Sequence, residues 1–242
     1  MKKLVFIIST ILLSGCTQAQ ITNHEFAKLT NLFIEIEKYP YNYKKDTPSP
    51  IFQNAQQHRI SFELAKKYLG FTNWDWHSIE YEYNGDDDIL TKKIIENPPL
   101  AHIKIISDNY VSLIYRNSRG IENDTFKVVL ETFDLKGILI NSMLIGGQFT
   151  HENDWKDVVF INDNTFKIFY YLPNLENYNI KNGAYYVIDE NQPQTIVEIS
   201  DYQIDENGKI NLIKTHPKQY LKKFVSFYRS YHENSDDPMN KY

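Results

Sequence analysis

Residues 126–145 read FKVVLETF-DLKG-ILINSMLI, and the reading of this stretch decides the fold. Two runs rich in β-branched, aromatic and aliphatic residues, Phe126 to Phe133 and Ile138 to Ile145, flank Asp134-Leu135-Lys136-Gly137. Each run is too short for a buried helix of ordinary length, and each is bounded by turn-forming residues. Strand, turn, strand is therefore the expectation.

The same arrangement repeats on both sides. Ala101 to Ser107 and Tyr110 to Arg116 flank Asp108-Asn109, and Lys156 to Ile161 and Phe166 to Leu172 flank Asn162-Asp163-Asn164. Ala184 to Asp189 and Ile196 to Asp205 follow, and Glu206-Asn207-Gly208 leads into Lys209 to Lys214. Upstream, Ile79, Tyr81 and Tyr83 alternate with Glu80 and Glu82, and Asn84-Gly85 is a turn pair. Short strands joined by Asn, Asp and Gly turns describe an antiparallel meander. The run Phe133 to Ile140 resembles one hairpin of a propeller blade. About nine or ten strands do not fill a ring of four-stranded blades, so a curved sheet, partial barrel or sandwich is expected.

Helices flank this β region. Thr22-Asn23-His24-Glu25 has the form of a capping box. Phe26, Leu29, Leu32, Phe33 and Ile36 then recur at helical spacing, and Pro40 closes the run. Tyr39 to Pro50, with three prolines, is expected to be a loop whose aromatics pack on the domain. A second helix is predicted over Phe62 to Leu69, stopped by Gly70, with the aromatic segment Phe71 to Trp76 plugging one end of a core. A last helix is predicted from Pro217 to Tyr231, with its aromatic face toward the core. The class is α+β, mainly antiparallel β, with N-terminal and C-terminal helices.

The N-terminus carries a different signal. Lys2 and Lys3 precede a ten-residue apolar run, Leu4 to Leu13, which would span about 15 Å as a helix and is too short to cross a bilayer. A basic start, a short apolar run and small residues at its end describe a secretory leader. Leu13-Ser14-Gly15-Cys16 resembles the lipobox of bacterial lipoproteins, over about the first twenty residues. That resemblance implies a diacylglyceryl group on the Cys16 thiol, cleavage between Gly15 and Cys16, and acylation of the new amino group. It implies attachment to the membrane through more than one acyl chain, where a single chain gives only reversible binding. Thr17, where Asp would signal inner-membrane retention, implies the outer membrane, facing the periplasm. The alternative is an ordinary leader cut after Ala19, which would discard Cys16. The domains expected are a signal peptide 1–15, a lipidated tether 16–22, one globular domain 23–231 and a flexible tail 232–242.

Bulk chemistry narrows the function. The chain has 242 residues and a net charge of -5, and removing Lys2 and Lys3 takes the charge to -7. An acidic domain argues against a nucleic acid partner. Cys16 is the single cysteine, so once it is lipidated neither a disulfide nor a cysteine-ligated metal is available. The 18 tyrosines and 14 phenylalanines suit a binding surface, but they also accompany the Asn, Ile and Lys bias of A/T-rich codons.

Catalytic motifs are missing from the sequence. There is no Gly-x-Ser-x-Gly, no phosphate loop and no dinucleotide fingerprint. His24-Glu25, His151-Glu152 and His232-Glu233 begin like a zinc motif, yet none has a second histidine one helical turn later, so no metal site is expected. Gly85-Asp86-Asp87-Asp88 lacks the spaced ligands of a calcium loop and is read as a solvated turn. The one candidate ligand loop follows Gly146-Gly147 and offers His151, Asp154 and Trp155. A polar loop with an exposed Trp suits ligand binding; the plainer alternative tucks Trp155 into the core, and Trp74 and Trp76 pose the same choice. The expectation is a membrane-anchored envelope lipoprotein without cofactor, non-enzymatic, that binds an envelope protein as an immunity or assembly factor. The alternative is an envelope hydrolase acting on glycan or peptide.

Overall fold

The computed structural model describes residues 21–47, 58–72, 76–84, 89–117, 126–148, 154–181, 184–223 and 238–241. Fifteen strands form among them, eleven in one sheet. The central ladder runs from β5 (Leu100–Ile106) and β6 (Tyr110–Asn117) to β7 (Phe126–Asp134) and β8 (Leu139–Gln148). It continues through β9 (Trp155–Asn162), β10 (Thr165–Pro173), β13 (Thr195–Ile204) and β14 (Ile210–Thr215). All of these neighbours are antiparallel. The expected α+β, mainly antiparallel curved sheet is what forms; its ladder curls without closing.

The curl has a local cause. β8 and β9 share only two residue pairs, Gly147 with Lys156 and Gln148 with Trp155. Gly147 takes a positive φ of 107°, which only glycine adopts without strain, and a side chain on Gly146 would stand 3.0 Å from Val128 Cβ. The glycine pair makes a corner, and the two half-sheets fold toward each other across it. Turns from the two halves then meet at one end: Thr132 Oγ1 donates to Gly208 O at 2.6 Å, and Asn109 Nδ2 donates to Glu206 O at 3.3 Å.

Burial follows the two-residue period of a strand. One side of each half-sheet contributes to an inner core that includes Ile103, Ile114, Leu130, Val158, Phe160, Phe166, Ile168 and Ile204. The opposite sides carry two outer cores. On β5–β7 these are Ala101, Val111, Leu113, Tyr115 and Phe133; on β9, β10 and β13 they are Trp155, Val159, Phe169, Tyr171, Val197 and Ile199. Because β6 is buried on both faces, Tyr110 to Tyr115 reads as an apolar run broken only by Ser112 rather than as an alternation.

Helices cover the first outer core. α1 (His24–Thr30) is capped by Asn23, whose side chain accepts from the Glu25 and Phe26 amides, so the cap sits one residue later than the capping box suggests. Phe26 is fully buried, with ring centroids 5.2 Å from Phe133 and 5.3 Å from Tyr68. α3 (Phe62–Tyr68) begins at its Ser61 cap and gives way to Gly70 at φ 67°, as predicted. Phe71 and Trp76 are buried in the same core, also as predicted, while Trp74 lies outside the described residues.

Gly137 joins the first helix to the sheet. Its φ is 86°, and a Cβ there would lie 2.7 Å from the Phe26 ring. Gly137→Ala combines left-handed backbone strain with a clash against a fully buried ring. The expected loss is about 1–3 kcal/mol of unfolding free energy, measured by urea denaturation against wild type.

Three departures from the sequence reading share one reason, namely long-range pairing, and two local hairpins add strands that the reading lacks. The first helix ends at Thr30 instead of Pro40, because β1 (Ile34–Glu35) pairs in parallel with Ile103 and Lys104 at the edge of β5. The expected loop holds β2 (Tyr41–Asn42), paired with Phe160 and Val159 of β9, and one helical turn, α2 (Tyr43–Asp46). β4 (Ile89–Glu96) forms a separate hairpin with β3 (His77–Asn84), and β11 (Tyr178–Lys181) pairs with β12 (Ala184–Val187). After Pro217 there is strand instead of helix: β15 (Gln219–Leu221) pairs with Thr195–Val197. Phe224 to Tyr231 lie outside the described residues. Of the tail, Pro238–Lys241 is a short 3-10 turn, and its Met239 is buried beside Tyr171 and Leu221. That end of the tail is docked.

Candidate binding site

The chain from Ile34 to Asp46 works as a strap. It starts on the free edge of β5 and finishes on the half of β9 that β8 leaves unpaired. Both sheet edges thereby gain backbone partners, which unpaired strands otherwise lack. The strap's outer side frames a cleft of about 580 Å³. Ile34, Pro40 and Ile103 give it an apolar lining, and Tyr41 stands beside them. Glu35, Glu37 and Asp46 face it as anions, Lys38 and Lys45 as cations.

Several of these groups are held in place. Lys104, mostly buried, reaches Glu35 at 3.3 Å. The Asn42 amide donates to Asp46 Oδ2 at 2.7 Å, Asn42 Oδ1 caps α2 by accepting from the Lys45 amide at 3.1 Å, and the Tyr41 hydroxyl donates to Thr47 at 3.2 Å. A small apolar floor with a rim of both charges suits a polar or zwitterionic ligand, or a partner's side chains. No group of three His, Asp or Glu residues placed to hold a metal occurs among the described residues.

Among the described residues four ionisable groups have strongly displaced pKa values. Burial pushes the Tyr39 and Tyr43 hydroxyls well up and holds His102 and Glu131 toward their neutral forms, and His102 and Glu131 do not converge. His102 is the extra residue in the bulge between Ala101 and Ile103. It is fully buried, stacked on Tyr43 at 5.5 Å between centroids, and its Nδ1 is hydrogen-bonded to the Tyr43 hydroxyl. Burial, with smaller contributions from Arg116 and His58, lowers its pKa to about 3, so the ring is neutral at ordinary pH. Glu131 turns to the outer core, where Oε1 accepts from Tyr115 and Ser142, each at 3.1 Å, and Oε2 has no hydrogen-bond partner among the described residues. Burial raises its pKa to about 7, against the two hydrogen bonds that lower it. The imidazole serves the inner core and the carboxyl the outer one. They are enclosed structural groups on separate sides of the sheet.

Of the candidate loop residues, Trp155 takes the tucked-in position that the sequence left as the plainer alternative. Trp155 is 1 % exposed and lies on β9, stacked on Tyr171 with centroids 3.9 Å apart and planes 5° from parallel. Lys44 Nζ of α2 lies over the same indole, 4.7 Å from the ring centroid. An indole enclosed in this way belongs to the core. Asp154 is buried and accepts from the Tyr170 hydroxyl at 2.7 Å. His151, Asp86 to Asp88 and Cys16 lie outside the described residues. The sequence does not reveal the strap cleft, because Ile34 and Ile36 fit a helical period while Tyr39 to Pro50 reads as a loop. The available signal was the density of charge and aromatics in Glu35 to Asp46, interrupted by Pro40.

Comparison with known proteins returns no match, whether to family models, curated proteins or solved structures.

Proposed function

We propose that the protein is a lipid-anchored lipoprotein of the bacterial envelope, held at the periplasmic face of the outer membrane. Its curled sheet acts by binding, as an accessory protein of immunity or assembly type. The observation that carries the reading is Leu13-Ser14-Gly15-Cys16, with the chain's one thiol at the end of a short apolar leader. The strap cleft supports the binding part. It is open, carries both charges, and is distant in kind from the two enclosed titrating groups.

Cys16→Ser tests the anchor. The variant should lose acyl labelling, keep its leader and fail to reach the outer-membrane fraction; unchanged labelling and outer-membrane association would sink the reading. Capture from detergent-solubilised envelopes tests the rest. Wild type should retain one reproducible envelope protein, and reversing the cleft charge with Lys45→Glu should weaken that capture about tenfold or more, the scale of losing one well-placed charged contact. Turnover of an envelope glycan or peptide without a reproducible partner would replace this reading with a hydrolase.

A further inference from the structure

The described chain begins beside an exposed apolar step. Ile21 packs against the outer core, the Thr22 amide donates to Leu135 O at 3.2 Å, and Asn23 Nδ2 donates to Lys136 O at 2.9 Å. The entry of the chain is thus tied to the β7–β8 turn. Immediately after that turn come three consecutive exposed aliphatic residues, Ile138 (63 % exposed), Leu139 (48 %) and Ile140 (38 %). A run of that kind on a soluble surface is unfavourable unless something covers it.

We propose that Ile138, Leu139 and Ile140 dock against the lipid surface of the membrane that holds the anchor. The inference rests on the lipidation of Cys16. Five Cα steps separate Cys16 from Ile21, a reach of at most about 18 Å. A lipid-bearing Cys16 therefore keeps this end of the domain within one short tether of the headgroups. Nothing comparable limits the other end of the sheet: the turn preceding β13 lies about 30 Å away along that ten-residue strand. Lipid is preferred to a second copy because the tether brings the bilayer to this spot whatever the protein concentration.

The contact is apolar more than ionic. Asp134 Oδ1 accepts from the Lys136 and Ile138 amides, and Asp205 Oδ1 accepts from the Asn207 and Lys209 amides. Asp108, Asp163 and Glu206 add negative charge at the turns of this end, against Lys136 and Lys209. Electrostatic attraction to anionic lipid is thus not the driving force, and the docking should resist salt.

Lipidated protein carries its Cys16 sulfur in a thioether, so Leu139→Cys supplies a unique thiol for an environment-sensitive dye. Glu190→Cys, exposed in the turn before β13, is the control. Both are reconstituted into vesicles of phosphatidylethanolamine and phosphatidylglycerol containing a nitroxide-labelled lipid, after circular dichroism confirms the fold. The expected result is a blue shift and several-fold stronger quenching at 139 than at 190, unchanged at high salt. Equal signals at both sites on vesicle-bound, acyl-labelled protein would overturn the docking and leave the anchor standing. Cross-linking between two copies at 139 without quenching would assign the patch to self-association and overturn it too. Protein that is neither acylated nor bound to vesicles would overturn both.

Discussion

Trp155→Ala should lower the unfolding free energy by about 3–5 kcal/mol, the range for deleting a buried large aromatic. Trp155 is among the largest fully buried side chains in the molecule, and its loss opens a cavity next to Tyr171, against which the indole lies flat. Dispersion contacts over both rings vanish together, and backbone held in β-pairing on both sides of β9 cannot collapse to refill the space. Lys44 also loses the ring beneath it, so α2 loosens from β9. A fall in Tm of roughly 10 °C is expected for a domain of this size. Trp155→Phe should recover more than half of the loss. If Trp155 were instead the tip of a ligand loop, alanine would leave the melting curve within about 0.5 kcal/mol of wild type, as surface changes do. Thermal denaturation of the two variants separates these outcomes.

Most strands were legible where a strong turn lies beside them, although Ile89–Glu96 and Tyr178–Lys181, whose partners are equally near, were not. Asp134-Leu135-Lys136-Gly137, Asn162-Asp163-Asn164 and Glu206-Asn207-Gly208 fix hairpins through local turn chemistry. In each, an Asp or Asn side chain accepts from backbone amides just ahead, as Asp134, Asn162 and Asp205 do. The adjoining strand boundaries then follow to within a few residues. The strap was not legible, because Ile34 to Ile36 satisfy a helical period equally well. What decides their conformation is the vacant edge of β5, about seventy residues downstream. The same holds for Gln219–Leu221, where proline at 217 suggests a helix start and the edge of β13 supplies a ladder.

Site residues divide in the same way. Trp155 stands out in the sequence as a residue, but its environment is made by Tyr171 and Lys44, one sixteen residues ahead and one over a hundred behind. The cleft needs Ile103 and the strap together, so no contiguous motif exists to find. His102 and Glu131 carry no sequence signal at all. Their chemistry comes from burial, which a single sequence states only through the apolar runs around them.

Those two groups make an opposed pair in pH. For Glu131 the folded-state pKa of about 7 exceeds the unfolded value of 4.5, so the native state holds a proton that the unfolded chain releases. Its contribution is fully present below 4.5 and is lost as pH rises through 7, about 3 kcal/mol in all. His102 runs the other way. Its folded pKa, about 3, lies below the unfolded 6.5, so its contribution is present above 6.5 and is lost as pH falls toward 3, about 5 kcal/mol in all. Between pH 4.5 and 6.5 the slopes have opposite signs and similar size, so wild-type stability should be nearly flat there. Each substitution should unmask the other group. Glu131→Gln, which keeps an acceptor for Tyr115 and Ser142, should give stability that rises with pH by about 2–3 kcal/mol over that window. His102→Gln, which keeps an acceptor for Tyr43, should give stability that falls by a similar amount. The two groups face different cores, so the double variant should be flat again. Urea denaturation at half-unit steps from pH 4 to 8 reads all four profiles. A Glu131→Gln profile parallel to wild type would mean that the buried carboxyl does not take up its proton on folding.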